Sequence, residues 1–218
     1  MKSKIFEKMF DNPPPKMGTP KPEDIPRMPL SRIPHSHEEI QTHLKSYLNL
    51  IKEQGADDAR IVNVRDIPQD PRVLLKCHFP KCPVYGLSGS CPPYYTGDFQ
   101  KAQEYINAYK WAIVYRVDIP EEGRKYVTGP TTLDTVKNKD GRHKMGSMWR
   151  YCFNIGDVIE STAYYDGHYF AINCHFGPCI VNLCEEFDFC QEIKTGICRF
   201  PTIAKPSIEQ TFCVRLKF

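Results

Sequence analysis

Ten cysteines in a chain of 218 residues are the side chains with the clearest capacity for chemistry. Thiolates bind soft and borderline metal ions, and they are the usual ligands of iron–sulfur clusters. In a reducing compartment cysteines stay out of disulfides, so this number of thiols favours metal ligation. The even count would also suit disulfides in a secreted protein, but the first residues lack the apolar stretch of a secretory signal.

The first group of cysteines lies in a loop rich in proline and glycine. Cys77, Cys82 and Cys91 are separated by gaps of four and eight residues. The prolines and glycines between them fix a looping backbone that can turn several side chains toward one centre. Two of the three are followed directly by proline, as a ligand cysteine is in bacterial ferredoxins. The alternative is that these three cysteines are buried free thiols with no ligand role. The polar composition of the loop disfavours this alternative.

A second group lies closer to the carboxyl terminus, in a segment that also carries acidic residues. This density of cysteines exceeds what core packing uses, and each thiol must lose its proton to bind a metal. The members of the group are Cys174, Cys179, Cys184, Cys190 and Cys198.

Zinc and iron–sulfur clusters are the two centres that these spacings could serve. Structural zinc usually takes four ligands arranged as two tight pairs. The gaps here run from four to eight residues, and the thiols outnumber one tetrahedral site, so the spacing favours iron–sulfur. Two [4Fe–4S] clusters need eight thiolates, and Cys174 is the best eighth candidate. The predicted ligand set is Cys77, Cys82, Cys91, Cys174, Cys179, Cys184, Cys190 and Cys198.

The remaining cysteines and the neighbouring histidines receive other roles. Cys152 lies on the apolar face of a predicted helix, where a lone cysteine behaves as a small hydrophobe, and Cys213 lies in an apolar tail. His78 and His175 each follow a ligand cysteine and could replace one thiolate, which is a less common choice. Cys198 is predicted to cross to the first cluster, by analogy with two-cluster ferredoxins.

The elements that must position these loops alternate between helix and strand. Ser36 can cap a helix, Glu39 completes a capping box, and apolar residues at helical spacing continue to a stop at Gly55. The pattern predicts an α+β (or small α/β) fold with a βαβ-like core, two cysteine-rich cluster-binding loops and an extended N-terminal arm. Further predicted elements are strands at 59–64, 73–75, 111–117 (buried) and 168–173, helices at 101–110 and 145–163 (loosened around Gly156), and an exposed excursion at 119–143.

A proline-rich leader precedes the predicted domain. Eight prolines fall between positions 13 and 34, and this density blocks both helix and central strand. Four large apolar residues between positions 25 and 33 favour an arm that lies along a partner over a solvated tail. We therefore divide the chain into an arm, 1–35, and an iron–sulfur-binding domain, 36–218.

Composition excludes several classes of function. A formal net charge of +3 is too small to indicate a nucleic-acid partner. No apolar run approaches the ~18 residues of a membrane span. Together with the missing signal, this predicts a cytoplasmic protein. The chain also has no nucleophile elbow, phosphate loop or HExxH pattern, which favours a carrier over a catalyst.

These motifs resemble a family of cysteine-rich proteins described as predicted metal-binding proteins of unknown function, found largely in anaerobes. The resemblance rests on the CxxPxCPxYGxxxxCPP segment, the strand WAIVYRV, and the stretches YFAINCHFGPC and CRFPTIAKPSIEQ. The family usually packs its second group as tight Cys-x2-Cys steps, whereas the spacing is wider here, and Cys174 is not part of its pattern. The resemblance implies metal binding through Cys77, Cys82, Cys91, Cys179, Cys184, Cys190 and Cys198.

The sequence therefore predicts an electron-transfer subunit or accessory protein with two [4Fe–4S] clusters, serving a larger anaerobic redox complex that the arm contacts in part. One alternative is an enzyme that uses a [4Fe–4S] cluster with an open iron, near the polar candidates His78, Tyr85, Tyr94 and His175. A second alternative is a zinc-stabilised interaction module without a redox role.

Overall fold

The structure is a computed structural model. It describes residues 35–127, 138–175, 177–184, 187, 189–201, 204, 207 and 208. The predicted arm lies outside these residues except for His35, and Cys213 also lies outside them. The helices are α1 (His37–Glu53), α2 (Phe99–Asn107), α3 (Glu121–Val127), α4 (Lys139–Tyr165), α5 (Cys179–Asn182) and α6 (Gln191–Thr195), the strands are β1 (Asp58–Asn63) and β2 (Trp111–Arg116), and 3-10 turns cover Val64–Asp66 and Pro71–Cys77.

Helix α1 begins at the predicted capping box. The Ser36 hydroxyl accepts a hydrogen bond from the Glu39 backbone N–H, and the Ser36 N–H donates to the Glu39 carboxylate at 2.7 Å. These bonds satisfy backbone donors that the first turn of a helix leaves without partners. On its inner face Tyr47 and Ile51 are buried, so α1 forms one wall of the core.

The sheet has two antiparallel strands in the described part of the chain. Its register runs from Asp58 opposite Arg116 to Asn63 opposite Trp111. Helix α2 lies between the strands in chain order, and the combination of helices with a small antiparallel sheet confirms an α+β fold. The predicted burial of β2 is wrong: Val114 is 52% exposed, because one face of this small sheet is not covered.

Helix α4 is the central element, with 27 residues, and it contacts both the α1–sheet unit and the cysteine loops. Ile155 packs with Ile51, Ala56 and Ala59 at one part of the helix. Met145 packs with a different cluster near its amino-terminal end. Despite the length of α4, no helix among the described residues has the apolar length needed to cross a bilayer.

Four local predictions are wrong, each for a physical reason. Residues 73–75 belong to the 3-10 turn Pro71–Cys77, which Asp70 caps by accepting from the Arg72 N–H at 2.9 Å. Residues 168–173 form no strand, and the Phe170 carbonyl accepts from the Tyr109 hydroxyl instead of a strand partner. The described parts of the predicted excursion at 119–143 hold α3 and the start of α4, while residues 128–137 lie outside the described residues. Helix α4 runs without a break through Gly156, where loosening was predicted.

Candidate metal centre

The first cysteine loop is folded back on itself by its own backbone hydrogen bonds. The Cys82 N–H donates to the Cys77 carbonyl at 3.1 Å, which closes a turn directly after the 3-10 segment. The Gly86 N–H donates to the Pro92 carbonyl at 2.8 Å, which brings the Cys91 end of the loop back toward its start. Gly86 has a φ of +79°, a conformation that favours glycine.

Four thiols, three from this loop and one from α5, lie close together. Burial raises the pKa of Cys91 to about 12, and the negative charges of Cys179, Cys82 and Cys77 add to the rise in that order. Packing gives the same picture, since Cys82 and Cys91 pack against the cluster that contains Ile180, the residue after Cys179. The structure thus brings Cys77, Cys82, Cys91 and Cys179 to one place.

Cys179 is held by packing on one side and by two serines on the other. It is the first residue of α5, and the following residues Ile180 and Val181 are buried in the cluster that contains Met145. The hydroxyls of Ser88 and Ser90 each lie 3.2 Å from the Cys179 Sγ. Hydrogen bonds to a ligand sulfur help to set a cluster's reduction potential.

The serines were not identified from the sequence. Their signal was available in the Ser-Gly-Ser run that directly precedes Cys91. That run indicates a tight turn, but it cannot show that both hydroxyls face a sulfur located 91 positions from Ser88.

A cavity of about 180 Å³ lies beside this group, and it is lined by cysteines from the second group. Cys179, Cys184, Cys190 and Cys198 all contribute to its walls. Tyr95, Glu192 and Arg199 also line it, and none of these three was predicted. The cavity therefore joins the predicted cysteines 179–198 into one concave site.

Contacts between the two loops are close at Gly89. The Cys190 N–H donates to the Leu87 carbonyl at 2.9 Å, which ties the second group to the first loop. A Cβ at Gly89 would lie 3.0 Å from the Glu192 Oε2 and 3.6 Å from the Cys190 Sγ. A glycine here leaves room for the carboxylate and the sulfur to approach the loop backbone.

Cys174 and both candidate histidines lie in different surroundings. Cys174 packs against the cluster formed by Val64 and Ile106, and its charge raises the pKa of Tyr109 after the larger effect of burial. His175 is buried and stacks on Phe153 with ring centroids 4.1 Å apart. His78 follows the 3-10 turn and contacts the Tyr85 ring.

The remaining cysteine of the described chain is in the core. Cys152 lies on α4, and burial raises the pKa of its thiol to about 12. None of the nine described cysteines forms a disulfide. No three histidine, cysteine or acidic side chains among the described residues are already arranged around a single ion.

Comparison with known proteins gives one result that bears on this site. Curated proteins and solved structures yield no match. A family model described as "Predicted metal-binding protein (DUF2284)" matches residues 60–216, which include α4 and both groups of cysteines. The matched segment is well over half of the chain. The chain therefore belongs to the DUF2284 family of predicted metal-binding proteins.

Proposed function

We propose that the protein is an iron–sulfur electron-transfer protein whose first cluster is held by Cys77, Cys82, Cys91 and Cys179. The observation that supports this best is the meeting of these four thiols, which come from two loops far apart in sequence. Four cysteine thiolates are the ordinary ligand set of a [4Fe–4S] cluster, which supplies one-electron chemistry when bound. Cys179 takes the crossing role that the sequence had favoured for Cys198.

A cluster fits this donor set better than a single ion does. The ligands of a cubane bind four different iron atoms, so they need not converge on one point as the ligands of zinc do. Cys179 is buried and the other three cysteines are half-buried, and a cationic group would make four neighbouring thiolates favourable.

Three of the other predicted ligands support a second cluster. Cys184, Cys190 and Cys198 line the same cavity, next to Cys179. Cys174, the predicted eighth ligand, packs in the separate cluster around Val64. From the cysteines that the structure describes, we therefore assign three thiolates to the second cluster and no fourth.

Apolar surface beside the cysteines suits an electron-transfer partner. Phe79 is 80% exposed, two residues after Cys77. Tyr94 and Ile197, which lie close in sequence to Cys91 and Cys198, are also exposed. Large exposed apolar side chains near a redox centre provide a contact surface that shortens the path for an electron. The N-terminal arm is proposed to add to this contact with a larger complex.

Anaerobic purification tests the proposal directly. We expect brown protein with iron and acid-labile sulfide in equal amounts, far above its zinc content, and a reduced-state electron paramagnetic resonance (EPR) spectrum of [4Fe–4S] type. Colourless protein that contains zinc would contradict the proposal and support the zinc-stabilised module.

A catalytic function is the second candidate, and the position of Cys174 favours it. With three thiolates the second cluster keeps one iron open to a substrate or to an oxygen ligand. The cavity of about 180 Å³ lies at these cysteines, and Glu192 and Arg199 supply opposite charges in its wall. Such a wall could orient a small polar substrate next to the open iron.

Replacing Cys174 by serine separates these possibilities. We expect Cys174→Ser to retain the iron, sulfide and EPR spectrum of the wild type, because this residue lies apart from the other cysteines. Cys198→Ser, which changes a cavity cysteine, is the matched comparison and should lose iron. Loss of iron from Cys174→Ser equal to that from Cys198→Ser would show that the second cluster has four thiolates and would weaken the catalytic candidate.

A further inference from the structure

Two large apolar side chains are exposed at the start of the first cysteine loop. Leu75 is 55% exposed and Phe79 is 80% exposed. The Phe79 N–H donates to the Leu75 carbonyl at 3.0 Å, so the two residues are one turn apart and flank Cys77 in the chain. An aromatic side chain that is this exposed, next to a candidate metal centre, is typical of a surface that contacts another protein.

Two lysines lie on either side of Phe79 in the chain. Lys76 and Lys81 are both exposed, and because five residues separate them their Cα atoms are at most about 18 Å apart. The Lys81 Nζ lies 4.5 Å from the centre of the Tyr85 ring, which gives this charge a defined position. Neither lysine forms an ion pair with a carboxylate in the described part of the chain, so both charges are available to a partner.

The charge of the first loop differs in sign from that of the second cysteine group. Residues 71–97 include three basic residues and no aspartate or glutamate. The guanidinium of one of them, Arg72, is paired with the Asp70 carboxylate at 2.6 Å, so Lys76 and Lys81 carry the excess charge. Residues 174–198 instead include four acidic residues and one lysine. The first loop is therefore the positively charged side of the candidate centre.

We propose that the first cysteine loop docks a small electron-carrier protein with an acidic surface, with Phe79 at the centre of the contact and Lys76 and Lys81 at its rim. This inference rests on the electron-transfer function proposed above and adds the chemistry of the partner. Charges at the rim of an interface accelerate the encounter and orient the partner, whereas a buried aromatic side chain at the centre slows dissociation. Each lysine directly precedes a cysteine of the first group, so a carrier bound here lies against that group.

An anionic membrane surface would also attract these lysines, but their number disfavours it. Recognition of anionic lipids generally uses clusters of about four to eight basic residues. The first loop has only two lysines besides the paired Arg72. Two fixed charges around one aromatic side chain suit a protein surface better, since such a contact depends on shape as well as on charge.

Stopped-flow association of the full-length, anaerobically purified protein with two acidic carriers, flavodoxin and a two-cluster bacterial ferredoxin, tests the role of the lysines. We expect the double variant Lys76→Glu/Lys81→Glu to associate with the carrier at least about tenfold more slowly at low salt, and the difference to shrink as salt is added. Lys45→Glu/Lys101→Glu is the matched control, because it reverses two exposed lysines on α1 and α2 and changes the net charge equally. It should associate at nearly the wild-type rate.

Replacing Phe79 by alanine tests the centre of the contact. We expect Phe79→Ala to dissociate from the carrier at least about tenfold faster than wild type, because the aromatic contact is lost. The side chain is so exposed that its removal leaves no cavity in the core. Phe170→Ala, which removes a 69% exposed phenylalanine after α4, is the matched control and should leave dissociation unchanged.

The possible failures can be told apart. If neither carrier bound to wild type, or if the Lys76→Glu/Lys81→Glu variant bound as fast as wild type, the docking proposal would be overturned. Binding to phosphatidylglycerol vesicles alone, lost in the same variant, would overturn it in favour of a membrane contact. Iron and sulfide are measured in the same samples, and we expect them to be the same in all variants. Wild-type protein without iron would instead contradict the electron-transfer function itself.

Discussion

Replacing Cys179 by serine is expected to lower the iron and sulfide of anaerobically purified protein, by as much as roughly half if the whole first cluster is lost. This residue belongs to the second group of cysteines and begins α5, and its charge contributes to the raised pKa of Cys91 in the first loop. Without it the first cluster keeps three thiolates, and a serine hydroxyl is a poor replacement because it does not ionise readily. The retained iron should belong to the second cluster, so the EPR spectrum should become simpler as well as weaker.

Cys152→Ser is the matched control for this experiment. It changes a half-buried thiol on α4 that was not predicted as a ligand. We expect this variant to keep the full iron content. If Cys179→Ser and Cys152→Ser had equal iron, equal sulfide and identical spectra, the assignment of Cys179 to the first cluster would be refuted.

Replacing Gly156 by alanine is expected to lower the free energy of unfolding by about 1–3 kcal/mol. A Cβ at this position would collide with the side chain of Asn173. That side chain donates to the Phe153 carbonyl at 3.2 Å and to the Asp157 carboxylate at 2.8 Å, and the Asn173 N–H donates to Glu160. The added methyl would thus displace the residue that fastens the segment before Cys174 to α4.

The expected loss of stability is opposite in sign to the usual effect of replacing glycine by alanine in a helix, so the two effects can be told apart. Within a helix, alanine is otherwise more stable than glycine by roughly 0.5–1 kcal/mol, so a loss of stability at the buried Gly156 would indicate the contact with Asn173. Thermal unfolding of the anaerobic protein measures it, with a drop of several degrees expected. Ser161→Ala, an exposed change on the same helix, should stay within about 0.5 kcal/mol of wild type. A Gly156→Ala variant as stable as wild type would contradict the packing described here.

Predictions that depend only on residues close together in the sequence agree with the structure at the start of α1 but not at two predicted strands. The capping box at Ser36 and Glu39 and the helix that follows it were predicted, because a cap is made by residues three positions apart. The predicted strands at 73–75 and 168–173 failed. In the first, Asp70 and Pro71 start a 3-10 turn, and in the second the Tyr109 hydroxyl, a distant group, takes the carbonyl that a strand partner would need.

The sequence by itself determined that thiols are the candidate ligands and which two segments carry them, because a residue's chemistry does not depend on its fold. Only the tertiary structure decided which thiols meet. Val84 in the first loop, Met145 on α4 and Ile180 on α5 pack into one cluster, and that packing places Cys179 beside Cys91. Cys174 is five positions from Cys179, yet it packs around Val64, because the chain between them leaves one apolar cluster and enters the other. Spacing along the chain cannot contain this information, since it depends on contacts among residues far apart in sequence.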